Sequence, residues 1–206
     1  MMPETSRRKQ RSFWVELPIL LLVAVIVAVL VRTFLVQTFY IPSGSMETTL
    51  LINDRVLVNK MVYRFREPRR GEVVVFVPPK QWDAGPAKDD YIKRVVGVGG
   101  DNVVCCDSAG RITINGKVLE EDYLFEDDVP SAQPFDVSVP TGRLFVMGDH
   151  RSSSADSRYH TDYQFGTIPV DAVVGRAFVI FWPFSHVGTL SVPKGYEAIP
   201  APSSGG

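Results

Sequence analysis

Between Leu17 and Val31 the chain carries fifteen consecutive uncharged, mostly aliphatic residues. Nothing else in the sequence limits the possible folds as severely. Arg7, Arg8, Lys9 and Arg11 precede this run, Trp14 and Glu16 mark its near end, and Arg32 closes it. As a helix it would reach only about 22 Å, short of a hydrocarbon core of roughly 30 Å. Phe13-Trp14-Val15 and Phe34-Leu35-Val36 lengthen it, and Arg32 can snorkel to a headgroup. Pro18 falls in the first turn, where a missing N–H does little harm. A cleavable signal peptide would also show a basic lead and an apolar run of this length. It would need small residues after the run, and residues 31–39 offer large ones, which favours an uncleaved anchor over 13–36. Residues 1–12 would then be a basic cytoplasmic segment, with everything beyond the anchor outside the cell membrane.

The remainder reads as an all-β domain over 37–199, followed by a loose tail at 200–206. Arg55 to Lys60, Gly71 to Val77, Tyr91 to Val98, Leu144 to Met147 and Val173 to Trp182 are short apolar or alternating runs stopped by Gly and Pro. Asn115-Gly116 is the strongest hairpin signal in a smaller hairpin-and-loop subdomain at about 102–143. Gln81 to Asp89 reads as an exposed loop. Glu120 to Pro140, acidic and with little periodicity, is expected to wrap the surface. With 22 basic and 23 acidic residues, nothing argues for nucleic acid as a partner. Cys105 and Cys106 are adjacent and could bond to each other, pair between chains or stay free. The oligomeric state leaves no trace in the sequence.

Three stretches carry candidate chemistry. In Ile41-Pro42-Ser43-Gly44-Ser45-Met46, proline stiffens the approach and Gly44 permits a bend that can aim the Ser45 hydroxyl and N–H into one cleft. On the strand from Tyr91, alternation puts Lys93 on one face with Tyr91 and Val95. Partial desolvation there would lower its pKa toward that of a general base. Gly148-Asp149-His150-Arg151, continuing through Ser154-Ala155-Asp156-Ser157-Arg158, is a glycine turn and a hydroxyl-rich loop able to brace itself by Asp–Arg pairing. Each stretch alone has a plain structural explanation as a turn, a solvated strand or a surface loop.

In order, and with Asp54 to Lys60 between the first and second, these stretches closely resemble the motif boxes of bacterial type I signal peptidases. The single anchor is similar to that of the Gram-positive members. The resemblance implies a membrane-anchored serine endopeptidase that removes signal peptides from exported preproteins and needs no metal or organic cofactor. It implies Ser45 as nucleophile, Lys93 as base, and Ser43 as the hydroxyl that joins the Ser45 N–H in an oxyanion hole. Ser154 matches a serine that hydrogen-bonds the lysine, and Asp156 and Arg158 match a supporting ion pair. Ile41, Pro42, Leu50, Tyr91 and Ile92 fall where the substrate binds, with shallow pockets for small side chains at −1 and −3. Phe39 and Met46 fall beside the site. Thr48 and Gly99 stand where the family usually has proline, and His150 where it has asparagine.

The rival chemistries are a Ser-His-Asp hydrolase using His150, His160 or His186, and a metal site from His150, Asp156, His160 and Asp162. Neither has a standard spacing. The rival of another class is a non-catalytic, membrane-tethered β domain that binds preproteins or partners.

Overall fold

The computed structural model describes residues 13–30, 36–82 and 90–202. The basic segment 1–12, the far part of the expected anchor, most of the loop ending at Asp89, and residues 203–206 lie outside the described residues. Helix α1 spans Phe13–Leu30. Its Leu17, Ile19, Leu20, Leu21, Leu22, Val23, Val25 and Ile26 are all exposed. At 1.5 Å per residue its length is about 27 Å, and among the described residues no helix is long and apolar enough to cross a membrane.

The rest is mainly β, as the alternating runs lead one to expect. Twelve strands form two antiparallel sheets among the described residues. They are β1 Val36–Tyr40, β2 Arg55–Asn59, β3 Val73–Phe76, β4 Tyr91–Val98, β5 Asn102–Cys105, β6 Thr113–Ile114, β7 Lys117–Val118, β8 Phe135–Ser138, β9 Arg143–Met147, β10 Ile168–Pro169, β11 Val173–Trp182 and β12 Gly188–Thr189. The large sheet runs β1-β2-β11-β3-β4-β9-β10, with β12 paired to β11, and the small sheet runs β7-β6-β5-β8.

Four elements differ from the sequence reading. Val36 does not end the anchor: it opens β1 and pairs with Asn59. Val36-Gln37-Thr38-Phe39-Tyr40 is made of residues that mostly favour strands, and its five-residue ladder to β2 outweighs the continuity of the apolar run. Glu120 to Pro140 does not merely wrap the surface. Its Phe135-Asp136-Val137-Ser138 alternation forms β8 against β5, with Phe135 and Val137 inward. Trp82 is no part of an exposed loop, because it stacks on His160 and meets Phe76 edge-on in the core. The tail is held where it begins, by a bond from the Arg70 guanidinium to the Pro200 carbonyl. Asn115-Gly116 does turn β6 into β7, both residues having positive φ. Cys105 and Cys106 form a vicinal disulfide.

The large sheet is irregular where it matters. β11 shifts register against both β2 and β3, and β4 shifts against β9. Bulges of this kind increase local twist and bend a sheet. The chain leaving edge strand β1 thereby crosses back to β4, which three intervening strands separate from it in the sheet order.

Candidate active site

Ladder bonding continues past β1, with the Ile41 N–H donating to the Asp54 carbonyl at 2.9 Å and Asn53 N–H to the Ile41 carbonyl at 2.9 Å. A tight turn follows, closed by Glu47 N–H to the Gly44 carbonyl at 3.0 Å and Leu50 N–H to the Met46 carbonyl at 2.7 Å. Ile41, Met46 and Leu50 plug this turn into one apolar cluster with Val56, Val58, Val73, Val75 and Ile92. Ser45 is thus held from below by its neighbours, and is itself only 6% exposed.

Lys93 comes from the middle of β4. Its cross-strand partner is Val74, and alternation places it with Tyr91 and Val95, as the sequence indicates. Its ammonium donates to Ser45 Oγ at 2.6 Å and lies 5.7 Å from the Tyr91 ring centre. Lys93 is 5% exposed, and burial pushes its pKa down to about 8. Asp156 and Asp149 oppose that shift and Arg158 assists it.

The loop after β9 completes the site. Gly148 lets two backbones meet: a methyl group there would collide with Ser154 Oγ and with the Ser45 carbonyl oxygen. The His150 N–H donates to that same carbonyl at 3.2 Å. The His150 ring stacks on Phe125, and its Nδ1 faces the Gly44 carbonyl at 3.1 Å and Glu47 Oε2 at 3.0 Å. Two acceptors require the hydrogen on Nδ1. Asp156 accepts from Arg158 Nε at 2.8 Å, Ser154 Oγ at 2.7 Å and Gly148 N–H at 2.9 Å. Burial works to raise the Asp156 pKa, but these donors outweigh it and hold the carboxyl below its usual range. Asp149 forms a second buried ion pair with Arg94, braced by Thr49.

A cleft of about 340 Å³ opens in front of Ser45 and Lys93. Phe39, Tyr40, Ile41, Pro42 and Ser43 from the end of β1, Asp90, Tyr91 and Ile92 from the start of β4, and Val75, Ser153 and Ala155 line it. Neither the Ser43 hydroxyl nor the Ser45 N–H has a hydrogen-bond partner among the described residues.

Ser45, Lys93, Ser43, Ile41, Pro42, Tyr91 and Ile92 therefore meet at one cleft. Two residues depart from expectation. Leu50 is fully buried, since with Met46 it plugs the turn and does not face the cleft. Ser154 lies beside the site, but its hydroxyl is directed to Asp156 and no hydrogen bond joins it to Lys93. Val75, Ser153 and Ala155 escaped the sequence reading. Alternation along β3 could have pointed to Val75, whereas only the path of the loop brings Ser153 and Ala155 to the rim. The histidine rivals find no geometry: His186 bonds Asp54, His160 stacks on Trp82, and His150 contacts backbone and Glu47 without reaching Ser45 Oγ. Among the described residues no cluster of three or more His, Cys, Asp or Glu could hold a metal.

A buried serine is thus bonded to a buried lysine at the head of the cleft, and the match to known families says what class of protein carries them. Residues 14–182 match the model of a family described as signal peptidase, peptidase S26, and the chain belongs to that family. A probable signal peptidase I-2 of Synechocystis sp. (strain ATCC 27184 / PCC 6803 / Kazusa) is 42% identical over 199 residues, covering 95% of this chain and 87% of the relative. Signal peptidase I of Mycobacterium tuberculosis (strain ATCC 25618 / H37Rv) is 36% identical, covering 91% and 79%. A crystal structure of a signal peptidase I from Enterococcus faecalis V583 is 28% identical, covers 54% of this chain and 97% of that one, and superposes with a TM-score of 0.41.

Proposed function

We propose that the protein is a membrane-anchored endopeptidase that cuts signal peptides from exported preproteins, with Ser45 as nucleophile and Lys93 as general base. The observation that carries this reading is the 2.6 Å contact between two side chains that are both nearly excluded from water. A desolvated lysine sheds its proton near neutral pH, and the contact then reverses, the hydroxyl donating to the amine. Ser45 Oγ attacks the scissile carbonyl as Lys93 takes its proton. The oxyanion forms against the Ser45 N–H and the Ser43 hydroxyl, both of which are available to donate. The C–N bond breaks as the lysine ammonium protonates the leaving amine, and water then hydrolyses the acyl-enzyme by the same route.

Tyr40 to Ser43 and Asp90 to Ile92 form facing walls, a geometry suited to an extended peptide bonded through its main chain. The space left between Ile41, Ile92 and Ala155 favours small side chains at −1 and −3. Ser154, Asp156 and Arg158 act as support: the ion pair fixes the loop that packs on Gly148 and hence on the Ser45 carbonyl.

In the same reading, α1 is the described part of a single membrane anchor. Its described apolar side chains are exposed, and so sited for lipid. The basic residues before it keep the N-terminus in the cytoplasm and the β domain outside.

The full chain in detergent, incubated with a preprotein, should yield the mature protein and the free signal peptide by mass spectrometry. Ser45→Ala and Lys93→Met should each lower the rate by at least about 10⁴-fold while remaining folded. An active, folded Lys93→Met would mean that the base is another group. No cleavage by the wild type would favour the non-catalytic reading.

A further inference from the structure

We propose that the loop after β2, residues 60–66, is a second membrane contact, laying Phe65 and the unpaired cations Lys60 and Arg64 on an anionic lipid surface. The inference rests on the anchor reading above and adds to it a second point of attachment.

Position comes first. Asn59 ends β2 and pairs with Val36, the first residue of β1, so Lys60 starts at the end of the ladder where the chain arrives from α1. Only residues 31–35 separate Leu30 from Val36, and an extended chain of that length covers at most about 21 Å. The cleft lies toward the other end of β1, beyond Tyr40.

The loop is also built to hold its shape. Asn59 Oδ1 accepts from the Met61 and Val62 N–H groups at 2.9 and 3.0 Å. The Tyr63 hydroxyl donates to Glu72 at 3.0 Å, and Arg66 pairs with Glu72 while its guanidinium lies 5.6 Å from the Tyr63 ring centre. On this braced turn Phe65 is 82% exposed, the most exposed large apolar side chain among the described residues.

Charge then indicates the occupant. Residues 60–66 include Lys60, Arg64 and Arg66 and no acid. Arg66 is neutralised by Glu72, but Lys60 and Arg64 have no ion-pair partner among the described residues. Together with Arg143 they border an open groove of about 780 Å³, in which Asp171 is the one carboxylate among the described residues. An aromatic ring flanked by free cations is the combination that partitions to a headgroup layer bearing negative charge. A domain tied at one point can pivot. A second contact would fix the height and tilt of the Ser45 cleft above the bilayer.

The test uses the full chain in vesicles with brominated acyl chains, made of phosphatidylcholine alone or of an equal mixture with phosphatidylglycerol. Phe65→Trp adds an indole whose emission is read as the difference from the three native tryptophans. In the mixture this added emission should be largely quenched. Adding Lys60→Glu and Arg64→Glu should return it to the level in phosphatidylcholine alone. Unquenched emission from vesicle-bound protein would overturn the proposal, as would quenching indifferent to lipid charge or to the charge reversal. Quenching or shielding that appears only when preprotein is added would make the loop a substrate contact and likewise overturn it. Flotation separates the two readings. Protein that floats with phosphatidylcholine but shows no charge-dependent quenching loses only the loop contact, and protein that floats with neither vesicle loses both.

Discussion

At Lys93, the buried amine that catalysis would require also costs the fold stability while it is charged. In the proposed reaction only the neutral amine can accept the Ser45 proton. kcat/KM should therefore rise about tenfold per pH unit below pH 7 and level off above a midpoint near 8. Stability follows from the same shift. The folded-state pKa of about 8 lies below the roughly 10.4 of an unfolded lysine, so the unfolded chain binds more protons between those values. Below pH 8 the fold carries a buried cation, and this penalty disappears as pH rises through 10.4. Lys93→Met should accordingly raise the melting temperature at pH 6–7, by up to about 3 kcal/mol in stability, with the gain vanishing above pH 10. Calorimetry across that range checks both sign and window. Gly148 makes a steric prediction. Gly148→Ala pushes Ser154 Oγ and the Ser45 carbonyl apart, and should cost about 1–3 kcal/mol together with most of the activity. His150→Asn should keep substantial activity, because the amide can still donate to the Gly44 carbonyl and Glu47.

At the scale of elements, the loop after β9 braces the site and supplies part of the cleft rim. Ala155 is exposed on the cleft rim, so Ala155→Phe fills the cleft without disturbing the core. It should raise KM for substrates with larger −1 side chains more than for alanine, at unchanged melting temperature. Equal effects on Ala and Val substrates would remove Ala155 from the specificity wall. This loop also shows what a sequence can disclose. Alternation along β4 was enough to put Lys93 on the Tyr91 face and Ile92 on the other, because a strand has period two. Hydropathy could not distinguish a pocket wall from a plug: Leu50 and Ile92 are equally apolar, yet Leu50 is sealed under the turn and Ile92 reaches the cleft. Nor could it direct the Ser154 hydroxyl, which donates to Asp156. β8 stayed hidden because its alternation is four residues long and lies beside an acidic, proline-containing stretch.

For the whole molecule, the proposed orientation predicts that protease added to intact protoplasts digests the domain after Val36. A protected C-terminus would reverse the topology and place the cleft on the wrong side. The Ser45 turn continues β1 without a break, and β1 is zipped to β2 along all five of its residues. This continuity sets a limit on shortening the chain for work without detergent. A version starting at Val36 keeps the whole ladder and should melt and cleave a short peptide much like the parent. One starting at Ile41 bares the β2 edge and leaves the stretch ahead of Ser45 untethered. It should aggregate or lose its activity, although every residue in contact with the peptide bond to be cut would still be present.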